Sequence, residues 1–273
     1  MQVQRIAAFT ENGAGGNPAG VVLLDDLPLP EAMQRLAAAV GYSETVFAAP
    51  SADGWRTRYF SPESEVPFCG HATVALGVAL ARAHGAGRYR LQLSGGEIEV
   101  AASGDGRAAL RSLPTRNAPA SAELVARALA LFGYAAADID EALPPIRMNA
   151  GTEHLLIALN SRERLAAMDY DLGAGRALMR EHGLGTIALV WRAAERLFHA
   201  RNAFAIGGVL EDPATGAAAA ALAGMLRDRG ILRIGALTIL QGADMGRPSR
   251  IDVTFDQPPG SPVHVSGAAA DIG

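Results

Sequence analysis

The sequence predicts an α+β protein in which a sheet wraps around one central buried helix, a plan built twice along the chain. Three observations predict it. Short β-type runs bounded by Gly, Pro, Asp or Ser dominate the sequence. Two helix-length segments, 70–84 (GHATVALGVALARAH) and 215–227 (TGAAAAALAGMLR), are apolar on nearly every face. A helix that is apolar all round must be buried all round. The two segments also share an entry: Arg58 precedes Cys69, and Arg201 precedes Asp212, by the same eleven positions. With the matching strand-then-helix order, that spacing points to pseudo-twofold duplication.

In the first half, strands are expected over 3–9, 19–24, 44–49, 55–60, 89–93, 98–101 and 108–113, with an amphipathic helix over 30–40. The glycine-rich run 12–18 (NGAGGNP) invites a dinucleotide-binding interpretation, but an apolar strand follows it where that fingerprint requires a helix. It is therefore expected to be a loop between strands. The polar, proline-flanked stretch 114–119 marks a junction, giving domains of 1–115 and 116–261. Beyond it, strands are expected over 146–149, 154–159, 186–191, 197–204, 237–241, 250–255 and 263–265. Helices are expected at 121–132, 162–168 and near 174–182.

Composition closes several functional classes. The chain has 273 residues, a net charge of −4 and 24 basic residues, all of them arginine. Without lysine there is no Schiff-base chemistry and no P-loop lysine for a nucleotide phosphate. The single cysteine, Cys69, excludes an internal disulfide, a multi-cysteine metal site and a two-thiol racemase mechanism. Mild acidity without a basic block argues against nucleic acid as a partner. The apolar runs fall short of the ~20 residues a membrane span needs, and no signal-peptide layout opens the chain, so a cytoplasmic protein is expected. The six histidines show no metal-type pairing along the sequence, and no metal is expected.

The buried helices are where chemistry is expected. Their first turns leave backbone N–H groups without intrahelical acceptors, and the helix dipole adds partial positive charge there. Residues 69–73 and 212–217 each read as an anion-binding lip whose glycines let a ligand carboxylate approach. If the halves face one another, both lips point into one cleft. A plainer reading competes at the second lip, with Asp212 as helix N-cap and Pro213 at the first helical position.

Six motifs occur in order: GNPAGV at 16–21, SETVF at 43–47, RYFSP at 58–62, EVPFCGHAT at 65–73, EDPATG at 211–216 and QGADMGRPS at 241–249. Together the set resembles the phenazine-biosynthesis PhzF-like family, within the diaminopimelate-epimerase-like fold. The resemblance implies two pseudo-symmetric domains, each a β-barrel wrapped around a central buried α-helix, with the active site in the inter-domain cleft. It implies that the last strand, within 262–273, can return to complete the first domain. It also implies a homodimer and an isomerase that moves a proton on a small carboxylate-bearing metabolite by carboxylate general acid/base catalysis, without a cofactor.

By the same resemblance Glu44 falls on the catalytic glutamate, and His71 and Asp212 on the other acid–base positions. Substrate binding falls to Asn17, Gly70, Ala72, Thr215, Gly216 and Ala217. Phenazine-forming relatives carry a substrate-contacting serine where this chain has Ala217, so a hydroxyl contact worth about 1 kcal/mol is missing. Two other functions stay open: a single-thiol epimerase or racemase using Cys69 and Glu44, and a non-catalytic carboxylate-binding protein. Against the first, the opposing thiol position falls near Pro213, which favours Cys69 as a structural residue.

Overall fold

In a computed structural model, which describes residues 1–256 and 258–272, the chain is a mixed α/β protein with six α-helices among the described residues. It divides into two compact units, Met1–Arg111 with the segment from Ser266 onward, and Ser112–Val265.

The first unit runs β1 (Gln4–Thr10), β2 (Asn17–Leu23), α1 (Pro30–Val40), β3 (Glu44–Ser51), β4 (Gly54–Phe60), β5 (Glu65–Val66), α2 (Gly70–His84), β6 (Gly87–Leu93), β7 (Gly96–Ala102) and β8 (Arg107–Arg111). β1 is antiparallel to β2, β2 parallel to β3, and β3 antiparallel to β4. β4 pairs with β5 and, in parallel, with β6, and β6–β7–β8 is an antiparallel meander. The glycine-rich run joins β1 to β2 as a loop, with positive φ at Asn12, Gly13, Gly15 and Gly16. A Cβ on Gly16 would lie 2.7 Å from the Ala8 carbonyl oxygen, so the close return to β1 requires glycine.

Helix α2 packs against β1, β2, β3, β6, β7 and β8. Every residue from His71 to Ala81 is buried, as expected of a helix whose only polar side chains there, His71 and Thr73, fall in its first turn. Helix α1 has only one apolar stripe, and Met33 and Ala37 pack with Val22, Phe47 and Phe60. Side chains alternate across a strand, so Phe47 faces α1 while Glu44 and Val46 face the other side of β3.

The second unit runs β9 (Arg116–Pro119), α3 (Ala122–Phe132), β10 (Ile146–Asn149), β11 (Glu153–Leu159), α4 (Arg162–Ala166), α5 (Leu172–Glu181), β12 (Thr186–Ala194), β13 (Leu197–Ala203), β14 (Glu211–Asp212), α6 (Gly216–Asp228), β15 (Gly235–Gln241) and β16 (Ser249–Phe255). β9, β10 and β11 pair antiparallel, β11 and β12 parallel, and β12 and β13 antiparallel. β13 pairs with β14 and, in parallel, with β15, which is antiparallel to β16. Helix α6 is buried from Ala218 to Arg227 and packs against β9, β10, β11 and β16. Helices α3 and α5 bury Leu124, Ala128, Phe132, Leu178 and Met179 with Leu155, Ile157 and Leu189 of the sheet.

The last strand, β17 (His264–Asp271), runs antiparallel to β1 and also pairs with β8. Followed in order, the pairings β17–β1–β2–β3–β4–β6–β7–β8–β17 return to their start. The order strand, two-residue strand, buried helix, parallel strand occurs twice, as β4–β5–α2–β6 and as β13–β14–α6–β15.

Two sequence expectations change. The stretch 114–119, expected to be a junction, contains β9, and the boundary between the units falls at Arg111/Ser112. Proline lacks a ladder N–H and reads as a breaker, but Pro119 ends its strand, where the cost is small. The final strand is eight residues long where three were expected, because its Ser-Gly-Ala-Ala-Ala core carries little β propensity and is recruited by pairing. No helix among the described residues is long and apolar enough to cross a membrane.

Candidate active site

Glu44 is the first residue of β3, entered through Gly41 in the left-handed conformation at the end of α1. It pairs in register with Ala19 of β2, so Asn17, two residues earlier on β2 and buried, shares its face. Across that face stands the first turn of α2. His71 is 7 % exposed, and its Nε2 lies 3.5 Å from Glu44 Oε2, whose side chain is 19 % exposed. Cys69 is the N-cap of α2 in extended conformation, and its Sγ lies 3.2 Å from His71 Nδ1. One ligand-type atom from each of Glu44, Cys69 and His71 lies within 4.8 Å of the others. The histidine lacked metal-type partners along the sequence; β3 supplies the carboxylate from a distant segment.

No side chain caps α2, and its first intrahelical bond runs from the Thr73 N–H to the Cys69 carbonyl. The N–H groups of Gly70, His71 and Ala72 therefore have no intrahelical acceptor. The helix start is pinned from below: the Thr73 hydroxyl donates to the Cys69 carbonyl at 2.7 Å, and Tyr59 Oη lies 2.7 Å from Thr73 Oγ1. Because Thr73 donates its only hydroxyl proton to Cys69, Tyr59 is the donor between the pair. Burial pushes the Tyr59 phenol well above its ordinary range and keeps that proton in place. One strand position earlier, Arg58 Nε donates to Glu65 Oε1 at 2.7 Å, and Arg58 Nη2 also pairs with Glu65. The hydrogen bond from Arg58 holds the Glu65 carboxyl below its usual value.

The second lip lies in the second unit and departs from the expected capping. Asp212 is not the N-cap of α6. It belongs to β14, opposite Asn202 of β13, and the helix starts at Gly216 with Thr215 as N-cap. The equal eleven-residue spacing does not align the two halves: the N-caps are Cys69 and Thr215, each three residues past its two-residue strand, and the second unit carries its extra residues earlier, between β13 and β14 (204–210, against 61–64 between β4 and β5). The Thr215 hydroxyl donates to the Asp212 carboxylate and does not cap the helix. The first intrahelical bond runs from the Ala219 N–H to the Thr215 carbonyl, leaving the Gly216 and Ala217 N–H groups without an intrahelical acceptor.

Gln241 holds this lip together and was missed as a site residue. Its Nε2 donates to the Asp212 carbonyl at 2.6 Å and to Thr215 Oγ1 at 3.1 Å, and its Oε1 accepts from the Thr215 N–H at 3.2 Å. The signal was present, since Gln241 opens the motif at 241–249. The buried pair Arg201–Glu211 lies beside it: Arg201 Nε donates to Glu211 Oε2 at 3.0 Å, and Arg201 Nη1 donates to the Ala166 and Met168 carbonyls.

The family model for phenazine biosynthesis-like proteins matches residues 6–272. The chain belongs to the PhzF family. An uncharacterized isomerase of Deinococcus radiodurans is 35% identical over 267 residues, covering 92% of this chain and 85% of the relative. The trans-2,3-dihydro-3-hydroxyanthranilate isomerase of Pseudomonas fluorescens is 32% identical over 260 residues, covering 89% and 86% of the two chains. In three dimensions, a PhzF-family phenazine biosynthesis protein of Bacillus anthracis superposes with a TM-score of 0.86 at 24% identity, covering 100% of this chain and 98% of that one. This PhzF-family chain is accordingly an isomerase.

Proposed function

We propose that this isomerase moves a proton on a small carboxylate-bearing metabolite without a cofactor, and that Glu44 carries the proton. The observation that supports this most directly is the Glu44 carboxylate, 3.5 Å from His71 Nε2 beside the uncapped first turn of α2. A carboxylate there can remove a proton from one ligand carbon and return it to another, so the reaction consumes no net proton. His71 orients Glu44 and exchanges a proton with it. The Gly70, His71 and Ala72 amides receive developing negative charge at the positive end of the helix.

In the second unit, Thr215, Gly216 and Ala217 form an amide lip suited to a ligand carboxylate, held by Gln241 and Asp212. Their part in the same reaction, and that of Asn17, rests on the motifs. Cys69 is not among the proposed proton carriers. Its thiol packs against His71, and its backbone carbonyl accepts the first intrahelical bond of α2.

Solvent-deuterium incorporation into a panel of cyclic and open-chain unsaturated carboxylates tests the proposal. Glu44→Gln is expected to lower exchange by about 10²–10⁴-fold, the range of a lost general base, while Cys69→Ala keeps it within a few-fold. Exchange that survives Glu44→Gln removes Glu44 as the carrier, and exchange lost in Cys69→Ala turns the assignment toward a thiol base.

A further inference from the structure

We propose that Glu44, Cys69 and His71 form a binding site for Zn²⁺, and that its occupation stops the proton transfer assigned to Glu44. The three side chains offer a carboxylate, a thiol and an imidazole, one donor atom from each lying within 4.8 Å of the others. Cys69 Sγ lies 4.0 Å from His71 Nε2, and that nitrogen lies 3.5 Å from Glu44 Oε2. Tetrahedral zinc with its usual bond lengths to sulfur, nitrogen and oxygen spaces such donors roughly 3.4–3.6 Å apart. The thiol now lies nearer to His71 Nδ1, at 3.2 Å, so binding requires the Cys69 and His71 side chains to turn until the sulfur and Nε2 face one ion.

The donors sit on rigid supports. Glu44 opens β3, Cys69 caps α2, and His71 lies in the first turn of that buried helix. Mixed sulfur, nitrogen and oxygen donors favour zinc over magnesium or calcium, which take oxygen alone. The carboxylate and the thiolate together balance the two positive charges of the ion, which outweighs the unfavourable dipole at the helix start. In the binding step the thiol S–H bond breaks, a sulfur–zinc bond forms, and the proton passes to the buffer. A fourth position remains for water. With a Glu44 oxygen on the metal, its lone pair is no longer available to a carbon acid, so the ion acts as an inhibitor and not as a cofactor. The binding half stands on geometry alone, whereas the inhibitory half rests on the proposed function.

The test is a titration of the metal-free full chain with Co²⁺ and then Zn²⁺. The expected result is a sulfur-to-cobalt charge-transfer band that saturates at one ion per chain, is displaced by Zn²⁺ and is absent in Cys69→Ser. Zn²⁺ affinity is expected to fall more than about tenfold in Cys69→Ser and in Glu44→Gln. No such band, or equal Zn²⁺ affinity in wild type and Cys69→Ser, overturns the site. A band with deuterium exchange unaffected by stoichiometric Zn²⁺ overturns the inhibitory half, while exchange that is zinc-sensitive in wild type and zinc-resistant in Cys69→Ser supports it. If wild type without metal shows no exchange, the assignment of Glu44 fails separately, and the cobalt band still decides the site.

Discussion

His154 lies inside the second unit on β11, its Nδ1 2.7 Å from the Thr186 hydroxyl, with no hydrogen-bond partner for Nε2 among the described residues. Burial pushes its pKa down to about 4, from an ordinary value of 6.5. Between those values the unfolded chain binds a proton that the folded chain refuses. Stability therefore rises with pH across the window and falls as pH drops from about 6.5 toward 4, by up to roughly 3 kcal/mol for this one group. His154→Gln is expected to flatten that part of the stability–pH curve, measured by urea unfolding at pH 7, 5.5 and 4.5. No chain-level signal marked this histidine. Its neighbours in sequence look like any buried strand, and only the packing of β11 against β12 seals the ring. The motif marked Glu44 as a candidate, and the structure adds its neighbour His71, which the motif could not position. Asp212 was only half legible: the motif marked it as a candidate, but the capping expected of it does not occur, because proline after aspartate fits both a helix start and the loop that is present.

At the scale of elements, each buried helix carries a glycine where propensity alone would prefer alanine by about 1 kcal/mol. Packing decides against alanine in both. A Cβ on Gly77 of α2 would lie 2.7 Å from Val100 Cγ2 and 3.1 Å from Ala108 Cβ. On Gly224 of α6 it would lie 2.5 Å from Thr115, which is held in place by Arg227. Overpacking a fixed core costs about 1–3 kcal/mol, more than the propensity gain. Gly77→Ala and Gly224→Ala are each expected to lower the melting temperature by several degrees, measured by calorimetry, although both raise helix propensity. The helices themselves were the most legible elements, since an apolar run of that length has one solution in water. The two-residue strands β5 and β14 were not legible, because two residues carry no periodicity, and their pairing is imposed by the strands beside them.

Across the whole molecule, the duplicated order of elements carries a duplicated ion pair in unequal surroundings. The side chains of Arg58 and Glu65 are 28% and 34% exposed, whereas those of Arg201 and Glu211 are 11% and 7% exposed. A solvated pair contributes about 0–1 kcal/mol, but removing one partner of a buried pair strands a charge and costs about 3–5 kcal/mol. Arg201→Met is therefore expected to destabilise the protein far more than Arg58→Met, compared by chemical denaturation at one pH. The repeated order of strand and all-apolar helix made the duplication visible in the sequence, whereas the eleven-residue spacing paired positions that are not equivalent. The inequality was invisible, because burial depends on which carbonyls, here those of Ala166 and Met168, close over the guanidinium.

The strand that completes the first unit's circuit of pairings is made only after the whole second unit. While the ribosome is still producing the second unit, β8 and one edge of β1 lack the partner that residues 264–271 later provide. The contiguous second unit faces no such wait. Synthesis therefore imposes an order of maturation opposite to the order of the sequence, and the nascent first unit carries open β-edges, the kind of surface that recruits chaperones or aggregates, until its closing strand arrives.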